Sequence, residues 1–118
     1  MIINNNVDDI LDDILKINNV LTTTISSYEG LVIKKIGVEV IHRKKLTVEI
    51  AKIAKSIREH LPKQLKHGIT LSVYFDKFDL LIVFFENFII SVLCDRDVNM
   101  GFLKIKMRKI IPLIKSSL

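Results

Sequence analysis

The chain has 118 residues, 49% hydrophobic and 26% charged, with two Pro, four Gly and no biased tract. That composition packs a core and excludes a disordered or fibrous chain, and the lack of any Pro-, Gly- or Ser-rich linker predicts one domain over residues 1–118. The net charge of +5 is uneven: residues 1–41 hold three Lys against six acids, and residues 42–118 hold fifteen Lys or Arg against seven. A basic balance of this kind suits an acidic protein partner, an anionic membrane surface or a nucleic acid.

The longest apolar run, Leu80 to Cys94, is interrupted by Glu86 and Asn87 and falls short of the roughly 20 residues that cross a bilayer as a helix. Met1 to Asn6 is Asn-rich and lacks the basic-then-apolar order of a secretion signal, so a cytoplasmic protein is expected. The single Cys94 has no partner for an internal disulfide and is expected to pack in the core.

From Val7, apolar residues recur at Val7, Ile10, Leu11, Ile14 and Leu15, which predicts an amphipathic first helix with Asp8, Asp9, Asp12 and Asp13 on its solvent side. An Asn before it can cap the free amides, and the first-turn Asp residues suit the positive end of the helix dipole. Two β-rich runs follow, Val20 to Ile25 and Leu31 to Ile36, joined through Ser26 to Gly30. They predict a hairpin in which Gly30 takes the tight reversal, with His42 to Lys45 leading out of the sheet.

Between Thr47 and Leu61, helical projection gathers Ile50, Ile53, Ala54, Ile57 and Leu61 on one face, with Ala51 and Arg58 at its margin. Glu49, Lys52, Lys55, Ser56, Glu59 and Lys63 point outward, and Pro62 discourages continuation. Three further runs, Thr70 to Phe75, Leu80 to Phe85 and Phe88 to Cys94, predict a meander. The first alternates Leu71, Val73 and Phe75 with Thr70, Ser72 and Tyr74 and reads as an edge strand, while the second is apolar on both faces and needs cover on both. A last helix starts after Asp97 or Asn99 and buries Leu103, Met107, Ile110, Ile111 and Ile114, with Pro112 expected to kink or end it.

Chemistry is sparse. No Gly-rich phosphate loop, His-Glu-x-x-His helix or Ser elbow is present, so no enzyme, cofactor or metal site is expected. His42, His60 and His67 read as surface residues, and the four N-terminal Asp residues as a solvated face. Asp95, Asp97 and Asn99 alternate as calcium ligands do, but no Gly or late Glu stands where a calcium loop needs it, and helix capping accounts for them. Arg43, Lys44, Lys45, Lys52, Lys55, Arg58, Lys63 and Lys66 gather around helix two without the interleaved aromatics of a single-strand binding surface.

The order helix, two strands, helix, three strands, helix predicts an α/β (α+β) fold, a five-stranded antiparallel sheet with helices on both faces. Within it, the hairpin Thr22-Thr-Thr-Ile-Ser-Ser-Tyr-Glu-Gly-Leu-Val-Ile33 and the segment Leu93-Cys-Asp-Arg-Asp-Val-Asn-Met-Gly101 resemble the roadblock family, whose fold is related to the profilin-like and longin folds. The resemblance runs from about Leu11 to Ile114. This family includes dynein-associated light chains, bacterial activators of polarity-switching GTPases, and scaffolds that hold GTPases at membranes. The resemblance implies a homodimeric or heterodimeric adaptor that binds a small Ras-like GTPase and scaffolds it or modulates its GTP hydrolysis.

In the family, two copies join through helix two and the third strand into one continuous sheet. Carried over, Ile50, Ala51, Ile53, Ala54 and Ile57 with Thr70, Ser72 and Tyr74 would form the dimer interface. The outward residues Glu49, Lys52, Lys55, Ser56, Glu59 and Lys63 would dock the partner. Helix two here departs from the family's Ala-rich pattern by its Ile and Lys residues. The alternatives are a structural assembly subunit of a motor or membrane complex without GTPase contact and, more weakly, nucleic-acid binding through the basic helix-two surface.

Overall fold

The computed structural model describes residues 7–29, 31–37, 41–62, 69–85 and 87–117. In chain order these form α1 (Val7–Leu15), β1 (Val20–Ser26), β2 (Val32–Gly37), α2 (Ile41–Glu59), β3 (Ile69–Tyr74), β4 (Phe78–Phe84), β5 (Ile89–Asp95) and α3 (Met100–Ser117). Among the described residues the strands make a five-stranded antiparallel sheet in the order β2-β1-β5-β4-β3. The sequence of elements and the meander are as expected, and β3 is an edge strand, with β2 at the opposite edge.

Alternation along β4 and β5 divides the core in two. Leu81, Val83 and Phe85 with Ile90, Val92 and Cys94 face α1 and α3, where Ile10, Leu11, Ile14, Leu103 and Met107 meet them. Leu80, Ile82 and Phe84 with Ile89 and Leu93 face α2, where Ile50 and Ala54 close the other layer. Leu71 and Val73 of β3 lean on this second layer, so Thr70, Ser72 and Tyr74 point to the side of α3.

The strands shift by one or two residues from the sequence reading, β4 beginning at Phe78 rather than Leu80, and the helices differ more. His42 to Lys45, expected to lead out of the sheet, belong to the start of α2, because nothing in Ile41–Thr47 breaks a helix. At its other end α2 stops at Glu59, two residues before Leu61, as the residue ahead of Pro62 is pushed out of helical backbone. Pro112 neither ends nor replaces the last turns: α3 runs through it to Ser117. Pro112 is exposed, so the Arg108 carbonyl that loses its helical donor can turn to water. Of the two capping candidates Asn99 is the one used, its Oδ1 accepting from the Phe102 amide at 3.0 Å. Gly30 lies outside the described residues.

The turns at one end of the sheet are tied together. Asn19 takes a left-handed φ of 72°, which Asn tolerates better than most residues, and its carbonyl accepts from the Asp95 amide at 2.8 Å. An ion pair between Lys34 and Asp8 fastens α1 to β2.

Two expectations follow from this packing. Gly37 has a φ of 146° and a Cβ there would stand 2.5 Å from the Leu21 carbonyl oxygen and 2.8 Å from the Thr22 Cα. Gly37→Ala should therefore lower stability by about 1–3 kcal/mol in denaturant unfolding, whereas an unchanged midpoint would refute the constraint. Burial, then the Asp79 and Asp95 carboxylates, push the Cys94 thiol from 9.0 up to about 12. The folded state thus favours the protonated thiol: its contribution is complete below the ordinary thiol value and disappears as pH rises toward the folded value. Thiol reagents at pH 8 should leave native Cys94 unmodified and react once the chain is unfolded.

Candidate functional site

Among the described residues β3 presents an unpaired edge, with no charged residue along Ile69–Tyr74. The opposite edge, β2, reads Val-Ile-Lys-Lys-Ile-Gly. Lysines on an edge strand discourage another chain from pairing there, and an uncharged edge lacks that protection. The asymmetry singles out β3 as the strand open to augmentation.

The helix-two residues of the sequence reading separate by burial. Ile50, Ala51 and Ala54 are buried against their own sheet, so their side chains are spent within this chain and are not presented to a second copy. Ala51, expected at the margin, is inside. Ile53, expected on the buried face, is 42% exposed, because the buried stripe of α2 is centred on Ile50, Ala51 and Ala54 and so turns Ile53 outward. Ile57 is half-buried beside the α2 layer. On β3, Thr70 and Tyr74 are exposed and Ser72 is half-buried. Thr70 adjoins Lys104, Met107 and Arg108 of α3, on the other side of the sheet from Ile53. Of the two sets, only Thr70, Ser72 and Tyr74 belong to the β3 edge.

The outward face of α2 is less basic in three dimensions than in sequence. Lys52 pairs with Glu49 at 3.7 Å and Lys55 with Glu59 at 3.9 Å, all four side chains largely exposed. Such surface pairs stabilise by only about 0.3–0.5 kcal/mol, so the charges remain available to a partner in alternating sign. Ser56 is exposed beside them and its carbonyl lies 2.8 Å from His60 Nδ1. Lys63 and Lys66 lie outside the described residues.

One constellation was not singled out from the sequence. Tyr28, in the hairpin turn, donates its hydroxyl hydrogen to the Phe85 carbonyl, and the Arg58 guanidinium sits 3.7 Å from its ring centroid. Phe85 stacks on Phe88 with centroids 4.4 Å apart. Hairpin, α2 and the β4–β5 turn thereby meet at one corner. The signal was a tyrosine in a turn, which carries both an apolar ring and a polar handle, but nothing in the sequence pairs it with Arg58. A guanidinium laid over this ring clamps α2 to the hairpin turn.

Among the described residues no group of three or more His, Cys, Asp or Glu side chains gathers as a metal site, and no helix is long and apolar enough to cross a membrane. Asp95 and Asp97 flank the turn into α3, whose Asn99 is the helix cap.

Burial pushes the Tyr28 hydroxyl above its ordinary value and Arg58 opposes that push by charge and hydrogen bonding. Removing the cation leaves burial unopposed, so Arg58→Ala should move the tyrosinate transition seen in ultraviolet titration to still higher pH. A transition that stayed in place or fell would show that Arg58 does not act on Tyr28.

No family model and no curated protein matches the chain. Solved structures do. A Roadblock/LC7 domain from Streptomyces avermitilis superposes with a TM-score of 0.72 at 15% identity, covering 94% of this chain and 96% of that one. MglC from Myxococcus xanthus gives 0.72 at 11% identity, covering 94% and 98%. Myxococcus xanthus MglB gives 0.73 at 16% identity, covering 92% and 94%. With nearly the full length of each chain matched and the same arrangement of sheet and helices, the chain has the roadblock fold.

Proposed function

We propose that this chain is a dimeric roadblock-type adaptor, pairing as a homodimer or with a second roadblock protein, that binds a small Ras-like GTPase in the cytoplasm and scaffolds it or modulates its GTP hydrolysis. The observation that carries the reading is the uncharged β3 edge, on which Thr70 and Tyr74 are exposed. Edge-to-edge pairing would extend the sheet across two copies and cover the row of backbone groups that β3 leaves open. One structural neighbour, an MglB, is described as having a tetrameric arrangement, which supports self-association as a habit of this fold. The GTPase is the partner that the family resemblance implies.

In this reading the mixed-sign face of Glu49, Lys52, Lys55, Ser56 and Glu59, with Lys63, docks the partner. The adaptor supplies no catalytic group, and any effect on hydrolysis comes from repositioning the GTPase's own residues.

Sedimentation at micromolar concentration should give a dimer. Ser72→Lys with Tyr74→Lys, which sets like charges against each other across the paired edges, should weaken it on the order of tenfold or more. A monomeric wild type would overturn the dimer. In pull-downs with candidate Ras-like GTPases, Lys52→Glu with Lys55→Glu should lower capture by about tenfold. Capture untouched by the reversal would remove this face as the docking site.

A further inference from the structure

The outer side of α3 differs in kind from every other described surface. From Val98 to the end of the sequence there is no Asp or Glu, while Lys104, Lys106, Arg108, Lys109 and Lys115 all fall on this helix. Three large apolar side chains are nonetheless left in solvent there: Phe102 at 46%, Ile105 at 56% and Leu113 at 41% exposure. Projected at 100° per residue, they share an arc of roughly 80°, with Lys109 inside it and Lys106 and Arg108 beside it. They cover about three turns, some 16 Å of helix length at 1.5 Å per residue. The core-facing side is a different stripe, that of Leu103 and Met107.

Among the described residues no carboxylate forms an ion pair with Lys104, Lys106, Arg108 or Lys109, and Asp13, which lines the groove beside Lys106 and Lys109, pairs with Lys16. Lys106 instead lies 5.4 Å from the Phe102 ring centroid.

We propose that the outer face of α3 docks on an anionic lipid bilayer, with Phe102, Ile105 and Leu113 entering the headgroup boundary and the surrounding lysines and Arg108 meeting acidic headgroups. A helix with apolar residues along one arc, long basic side chains beside them and no acid is the form that lies in a membrane interface. The extended, convex placement of the apolar residues fits a flat partner. An acidic peptide would be expected to use the groove of about 550 Å³ between α1 and α3, where Lys16, Lys106 and Lys109 outnumber Asp13, but Ile105 and Leu113 lie outside that groove and a peptide seated in it would leave them uncovered. Because α3 and α2 cover opposite faces of the sheet, a molecule seated on lipid through α3 would hold its α2 face toward the cell interior.

The test is co-sedimentation of the full chain with vesicles of phosphatidylcholine alone and of phosphatidylcholine mixed with phosphatidylserine. Binding is expected to the mixed vesicles and not to the neutral ones. Each basic residue near such a surface contributes on the order of fivefold, so Lys106→Glu with Lys109→Glu should reduce binding more than about tenfold. Ile105→Ser should weaken it further at raised salt, where the charges are screened and apolar insertion dominates. Circular dichroism of each variant keeps a folding defect from passing as a binding defect. Lys52→Glu with Lys55→Glu, on the opposite face, should leave vesicle binding intact, which separates this surface from the GTPase reading. The proposal is overturned by absence of binding to the mixed vesicles, by binding that survives both α3 variants, or by retention on polyglutamate without vesicle binding, which would identify an acidic protein as the occupant.

Discussion

Pairing of β4 with β5 in the middle of the sheet sets the terms for the rest of the molecule. Leu80 stands opposite Leu93 and Leu81 opposite Val92, so successive residues of both strands send apolar side chains to opposite faces. Each such side chain contributes roughly 1.5–3 kcal/mol only if it is covered. One face is closed by α1 and α3 together and the other by α2. Neither layer can be removed without exposing half of both central strands. The buried Cys94 belongs to the same arrangement, and burial in that layer, with the Asp79 and Asp95 carboxylates, disfavours its thiolate.

Because the apolar capital of the chain is concentrated in this centre, the edges and the outer helix faces are where function can reside. The two edges are not equivalent. β2 carries Lys34 and Lys35, one of them tied to Asp8 of α1, while β3 carries no charge. The helix faces differ as sharply: α2 shows Lys and Glu in alternation, half-neutralised by each other, and α3 shows Lys and Arg interleaved with exposed Phe, Ile and Leu. Alternating charges give register and orientation with a protein surface, whereas a one-signed, partly apolar helix suits a surface with no fixed pattern of its own.

The Tyr28–Arg58 contact joins these regions mechanically. It holds the last turn of α2 to the β1–β2 hairpin and, through the Phe85 carbonyl, to the β4–β5 turn. A partner that pulled on α2 would be resisted at this corner, which makes the helix a fixed platform.

The sequence by itself determined the order of the eight elements, the edge character of β3 and the two-sided burial of β4, because each rests on a local period: alternation for strands and the 3.6-residue repeat for helices. The cap at Asn99 was likewise readable as one of two nearby side chains able to reach a free amide. Tertiary structure alone decided the rest. Whether Ala51 or Ile53 is buried depends on how α2 is turned about its own axis, which helical projection does not contain, and so burial removed Ile50, Ala51 and Ala54 from the exposed candidates. Pro112 remains helical because the carbonyl it strands faces water, a matter of which side of α3 is covered. Arg58 lies over Tyr28 across 30 positions of chain, and only packing shows that Asp13, beside the α3 lysines, is held by Lys16. Periodicity fixes what each segment must bury; only packing fixes what it is left to offer.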